Sequence, residues 1–270
     1  MLSAFESALE AGADVIVGPL VRDDVKAVAQ LALDLPFTVA LNQLEEGIAA
    51  PPQLYTFSLG VESDAKLIAR RMRSDAARNV AVVSSDSPLM RRFASTFAAE
   101  WVLAGGSTPA AYRFDPTPDV LRGMRREIMK SAPGGILLAV DSATATLAKP
   151  YLGTLPAYAS GLVFEQETQA VMRDLDGLML VEIPWVVTPH APQFSNLPKR
   201  DFPSYSLIRL YALGLDAYRV AQAFNDGAPQ RFSLDGATGR VTLVQGQQFS
   251  REGRFAIFRA GQLAPLDGAQ

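Results

Sequence analysis

His190 is the single histidine of the 270 residues, and the chain has no cysteine. These two counts remove most side-chain chemistry. Without cysteine these residues hold no disulfide, thiolate metal site, thiol nucleophile or acylated Cys anchor. One histidine without Cys or a second His does not make a zinc site. His190 stands in the loop Thr188-Pro189-His190-Ala191-Pro192. A Ser-His-Asp triad needs an exposed elbow such as G-x-S-x-G, and there is none. The carboxylates do not pair for hydrolysis either. Asp23-Asp24 opens a helix, where acidic residues meet the positive end of the dipole. Glu45-Glu46 lies in a loop, and Glu165 and Glu167 flank a turn. There is no G-x-G-x-x-G after a strand and no G-x-x-x-x-G-K-[ST], and Gly134-Gly135 precedes a strand, so it is a turn. The reading is a non-enzyme with no cofactor and no metal.

Ligands of open α/β sheets bind at the carboxyl ends of the strands. In this sequence those ends carry Gly18-Pro19-Leu20, Asn42-Gln43, Ser84-Ser85-Asp86, Asp141-Ser142 and Glu182. The backbone near Gly18, Pro19 and Leu20, the Asn42 amide, the Ser85 hydroxyl and the Asp141 and Glu182 carboxylates are the candidates for holding a small polar ligand in an interlobe cleft. The competing role for each is to cap a helix or a turn, as Ser and Asp do routinely.

The elements that position these residues alternate. Residues 2–11 have helical spacing, and Gly12 suits the C-terminus. Asp14 to Leu20 (DVIVGPL) is an apolar run ended by Gly-Pro, expected as a buried parallel strand. A helix over Asp23–Leu33 ends before Pro36. Strands follow at Phe37–Asn42 and Tyr55–Leu59. The rhythm repeats with helices at Ser63–Arg73, Pro88–Ala104, Asp119–Ser131 and Ser142–Leu152, with Ser142 as N-cap. Strands are expected at Asn79–Ser85, Pro109–Phe114, Gly135–Val140, Pro156–Ser160 and Gly177–Ile183. Pro184 to Pro203 holds five prolines and little periodicity, so it reads as a linker. Ser204–Asn225 is a long helix. Residues 230–267 switch to period two with turns at Gly236, Gly239, Gly246, Gly253 and Gly261, a strand-and-hairpin tail.

Short connections between alternating strands and helices imply parallel sheets covered on both faces. The fold class is α/β, with two doubly wound Rossmann-like lobes and a C-terminal β-hairpin tail. Lobe 1 is expected to use residues 1–60 plus about 186–228, and lobe 2 residues 61–185 plus about 229–270. Three strands before the first crossing are few for a doubly wound sheet. A helix as the opening element therefore suggests that the first lobe lacks its opening strand.

Hydrophobic residues make up 49% and charged residues 20%, enough for packed cores and unlike a disordered chain. The formal charge of −3 argues against a nucleic-acid surface. The arginines at 70, 71 and 73 and at 122, 125 and 126 fall on solvated helix faces. No stretch approaches the ~20 apolar residues of a membrane span. The first fifteen residues lack the basic leader and apolar run of a secretory signal.

Several segments together resemble one family. GADVIVGPLVRDDV, FTVALNQ and YTFSLGVESDAKLIARRM are similar to the first lobe of type I periplasmic-binding-protein folds and its crossing into the second. DSPLMRRFASTFAAEWVLAGG resembles the helix after the first strand of the second lobe, and FSLDGATGRVTLVQGQQFSREGRFAIFRAGQL the closing hairpin of amino-acid receptors of that fold. More narrowly, GPL with a polar pair, ALNQ and PSYSLIRLYALGLDAYRVA resemble the LppC/LpoA family, outer-membrane lipoproteins that activate a peptidoglycan-building penicillin-binding protein. The resemblance covers essentially the whole chain. It implies a periplasmic, non-catalytic regulator, outer-membrane-anchored in the full-length protein, whose partner is a class A penicillin-binding protein. The alternative it leaves is a receptor for an amino acid or other small polar ligand. The sequence departs from the family in having no lipobox Cys, and it also lacks the family's opening strand and helix and any helical-repeat domain before them.

Overall fold

The computed structural model describes residues 2–31, 34–45, 47–165, 172–224, 231–244 and 247–266. The readings at Leu33, Glu46, Glu167, Asn225 and Gly246 lie outside the described residues. In chain order the first elements are α1 (Leu2–Glu10), β1 (Val15–Val17), α2 (Arg22–Ala29), β2 (Phe37–Ala40), β3 (Leu54–Phe57), α3 (Val61–Ser74), β4 (Val80–Ser84), α4 (Pro88–Leu103) and β5 (Ala110–Arg113). Next come α5 (Pro118–Ser131), β6 (Gly135–Ala139), α6 (Ser142–Ala148), β7 (Ala157–Ser160), β8 (Leu178–Glu182), α7 (Pro184–Val187) and α8 (Tyr205–Phe224). The chain closes with β9 (Ser233–Asp235), β10 (Arg240–Val244), β11 (Gln248–Glu252), β12 (Arg254–Arg259) and β13 (Gln262–Pro265).

The chain divides into two compact units. One comprises Met1–Gly60 with Leu207–Glu252, the other Val61–Ser206 with Gly253–Gln270. The first unit carries a six-stranded sheet in the order β1-β2-β3-β11-β10-β9. Its strands β1, β2, β3 and β11 are parallel, β10 runs antiparallel to β11, and β9 pairs antiparallel with β10. Helix α8 covers one face. Leu213, Ala217, Val220 and Phe224 pack there against Phe37, Val39, Phe57, Val241 and Phe249. Phe224 lies 4.7 Å from Phe37 and 5.6 Å from Phe249 by ring centroids. The other face is closed by α1 and α2 through Phe5, Val25 and Val28 over Ala40 and Leu54.

The second unit carries a seven-stranded sheet, order β13-β12-β8-β7-β6-β4-β5. Five strands are parallel, and β12 and β13 form an antiparallel edge. One face is packed by α3 and α4, with Ile68, Met72, Phe93, Phe97 and Trp101 fully buried. The opposite face is packed by α5, α6 and the Leu175 turn.

Four features differ from the expected elements. Strand β1 is three residues rather than seven, because Gly18-Pro19-Leu20 turns out of the sheet toward β2: Leu41 N–H donates to Pro19 O. Asp141 rather than Ser142 caps α6, its Oδ1 accepting from Thr144 N–H at 2.8 Å. The stretch from 184 to 203 is not a bare linker. Pro184 and Pro192 start short helical turns, where a missing N–H costs nothing. Those turns bury Trp185 and Phe194 with ring centroids 5.3 Å apart, so the segment packs with the second unit. Finally, the tail is split. Strand β11 pairs with β3 through Gln248↔Thr56 and Phe249↔Phe57, which puts β9 to β11 in the first unit. Only β12 and β13 join the second, through pairing with β8.

Candidate functional site

Within the first unit, the structure brings the Gly18–Leu20 turn and Asn42 together at the carboxyl ends of β1 and β2. Asn42 Nδ2 donates to Leu20 O at 3.0 Å, and Asn42 Oδ1 accepts from Gln43 N–H at 2.9 Å. Gly18 N–H donates to Val39 O at 2.8 Å. The Asn42 amide thus spends one donor and its oxygen on backbone, clamping one turn to the next. Gly18 has φ 128°, a conformation costly for any residue with a Cβ, which accounts for glycine there.

Within the second unit, strand order reverses around β4: β5 lies on one side and β6 on the other. In open α/β sheets this switch point leaves a crevice at the carboxyl ends. Ser85 follows β4 and Asp141 follows β6, and Ser85 N–H donates to Ala139 O at 3.0 Å. The two candidates therefore flank the crevice. Asp141 also caps α6, and a carboxylate at a helix N-terminus keeps a second oxygen for another donor. Nearby on the surface Asp86 pairs with Arg113 and, at 3.8 Å, with Arg91.

Glu182 stands apart from Ser85 and Asp141, on β8. It is 3% exposed, and its Oε1 accepts from Ile183 N–H at 2.8 Å. Its carboxylate sits against Gly161 so closely that a Cβ there has no room. This buried side chain thus lies against the turn that follows β7. His190 lies on the surface with Nδ1 3.5 Å from Lys199 Nζ. Among the described residues no group of three His, Asp or Glu could hold a metal ion.

Sequence reasoning missed Asp216. It is fully buried on α8 and accepts from Ala237 N–H at 2.9 Å, Thr238 N–H at 2.7 Å and Thr238 Oγ1 at 2.7 Å. Burial pushes its carboxyl up, against the pull of these hydrogen bonds and of Arg219. The residue ties the helix to the turn between β9 and β10. Only the LDGATG turn was visible as a signal, because its partner lies about twenty residues upstream on a different element.

Two α/β units of this topology define the type I periplasmic-binding-protein-like fold. The family model described as "LppC putative lipoprotein" matches residues 2–132 and 130–261, and the chain belongs to that family. Penicillin-binding protein activator LpoA of Edwardsiella piscicida is 26% identical over 96% of this chain and 44% of its own length. The protein of the same name from Escherichia coli K12 is 26% identical over 94% of this chain and 44% of its own. The chain thus spans less than half the length of these curated relatives. Among solved structures, the LpoA C-domain from Haemophilus influenzae, described as a regulator of PBP1A, superposes with TM-score 0.81 at 23% identity, covering 98% of this chain and 85% of that one. A "putative branched-chain amino acid ABC transporter" from Chromobacterium violaceum superposes with TM-score 0.83 at 29% identity, covering 94% and 83%.

Proposed function

We propose that this chain is the regulatory domain of a periplasmic activator of a class A penicillin-binding protein, acting by docking and not by catalysis. The carrying observation is the family match, whose two segments, residues 2–132 and 130–261, together span both units. The relatives named as activators align over nearly the whole chain. In the full-length protein the domain sits at the outer membrane, as expected of a lipoprotein family; among the described residues no helix is long and apolar enough to cross a membrane. The test is titration of the purified chain against a class A penicillin-binding protein, with glycan polymerisation and peptide crosslinking as readouts. Binding with stimulation is the expected result. Absence of both sinks the reading.

A second reading rests on the transporter-related structure at 29% identity. Here the switch-point residues Ser85 and Asp141 of the second unit hold a small polar solute. A ligand bound only by the native state raises its stability. A thermal-shift panel of amino acids and related metabolites therefore decides it: a shift lost in Ser85→Ala supports the receptor, and a flat panel removes it.

A further inference from the structure

Two arginine clusters look alike in the sequence, at 70, 71 and 73 and at 122, 125 and 126, but the structure treats them differently. On α3 the charges are engaged. Arg70 pairs with Glu100 and Arg71 with Asp75, Arg73 lies over the Trp101 ring, and the neighbouring Arg92 on α4 pairs with Glu62. On α5 most are not. Leu121, Met124 and Ile128 form the buried face of that helix, packed on the sheet of the second unit. The opposite face carries Arg122, Arg125, Arg126, Met129 and Lys130, all exposed. Arg122 pairs with Asp119. Among the described residues Arg125, Arg126 and Lys130 make no hydrogen bond or ion pair.

Helix geometry sets these side chains in two rows. At about 1.5 Å rise per residue, Arg122, Arg126 and Lys130 form one row about 12 Å long. Arg125 and Met129 form the adjoining row, which puts Met129, 40% exposed, among the cations. Like charges at i,i+4 work against the helix that carries them. The remaining carboxylate of α5, Glu127, forms no ion pair with them among the described residues. The basic face is local, since the whole chain has a formal charge of −3. It is not the seat of a further strand either: β5 and β6, which α5 connects, are both paired to β4.

We propose that this face of α5 docks on a bilayer surface bearing anionic headgroups. The cations of the two rows meet headgroup phosphates, and Met129 enters the boundary between headgroups and acyl chains. Basic residues beside an accessible apolar side chain suit such a surface, which offers negative charge with hydrocarbon just beneath it. A purely ionic partner accounts for the arginines but not for Met129. The chain belongs to a family described as lipoproteins, and a basic face adds to a lipid anchor as a second membrane signal. The proposal rests on that family membership and not on docking to a synthase. Its test contains no synthase, so either reading can fail alone.

The test is cosedimentation of the purified chain with phosphatidylcholine vesicles, with and without about 30% phosphatidylglycerol to supply the surface charge. Retention is expected on the anionic vesicles only, and it should fall as salt rises and screens the charges. Each surface cation is worth about fivefold, so Arg125→Gln with Arg126→Gln should weaken partitioning roughly 25-fold. The same charge change at Arg70→Gln with Arg92→Gln should leave it near wild type. Circular dichroism checks both folds. Met129→Gln keeps every charge and should weaken retention roughly threefold, because less apolar surface is buried. Equal retention on both vesicle types, an undiminished Arg125/Arg126 variant, or an equal loss in the Arg70/Arg92 variant each overturns the proposal. Retention unchanged in Met129→Gln means a purely ionic partner and overturns the bilayer as occupant. So does binding of a polyglutamate peptide by a chain that ignores the vesicles, which assigns the face to an acidic polypeptide.

Discussion

Asp216 carries more of the first unit than its single position suggests. A buried carboxylate is costly unless hydrogen-bonded, and here two backbone N–H groups and one hydroxyl are bent onto it. Asp216→Ala orphans the N–H groups of Ala237 and Thr238 and should cost about 3 kcal/mol, read as a lower urea midpoint. Gly236 is the complementary test. A Cβ at 236 meets the Asp216 carboxylate, so Gly236→Ala should cost roughly 2 kcal/mol by forcing that carboxylate aside. In the Asp216→Ala background the same change should be nearly silent, since the obstacle is gone. Tyr158 supplies a pH test in the second unit. It is 3% exposed and its hydroxyl donates to Asp75 at 3.0 Å. Burial, then the Asp75 charge, raise its ionisation well above the ordinary range. The unfolded chain releases this proton near pH ~10, while the folded chain holds it. The contribution is therefore complete below about pH 10 and is lost as pH rises beyond it. Between pH ~9 and ~11 the wild type should lose more stability to urea than Tyr158→Phe. Equal losses would show that the phenol is not held this way.

At the scale of elements, most of the fold was legible because local chemistry agreed with the final packing. The strand expected at Asn79–Ser85 and the helix expected at Pro88–Ala104 are found at Val80–Ser84 and Pro88–Leu103. Ser87 does cap that helix, Oγ accepting from Met90 N–H at 3.2 Å with Pro88 in the first turn. Ser87→Ala should cost about 1 kcal/mol, whereas Ser87→Asp should stay near wild type, because both native residue and replacement accept from the first-turn N–H groups; chemical denaturation separates the two. The proline-rich stretch was misread as a linker because proline suppresses periodicity without preventing burial. Trp185 and Phe194 meet across two short turns, and no sequence spacing reports that contact. Strand β1 was visible as an apolar run, but not the turn at Gly18 that shortens it to three residues. The same limit applies to the candidate site. Ser85 and Asp141 do follow strands β4 and β6, but the sequence did not reveal that Glu182 is buried, with Oε1 accepting from Ile183 N–H and its carboxylate close against Gly161.

At the scale of the whole molecule, the chain builds two separate cores from interleaved segments. The clusters around Phe224 and Val25 draw only on residues of the first unit, and those around Ile136 and Phe97 only on the second. The closing tail was expected to belong to one lobe, yet it is shared: β11 completes one sheet and β12 adds to the other, with Gly253 between them. Period-two patterning reveals strands but not their partners, so this division could not be read from residues 230–267. Disjoint cores make a specific prediction about local opening. Asp216→Ala removes support from α8 and the β9–β10 turn alone. Hydrogen exchange should therefore speed up in α8, β9 to β11 and β1 to β3, by about two orders of magnitude if opening of that unit becomes easier by ~3 kcal/mol. Amides of β4 and β6 to β8 should keep their wild-type protection. Measured segment by segment by mass spectrometry, a uniform acceleration across both sheets would mean that the cores open as one cooperative block, whereas a change confined to the first unit would establish two separable folding units within one interleaved chain.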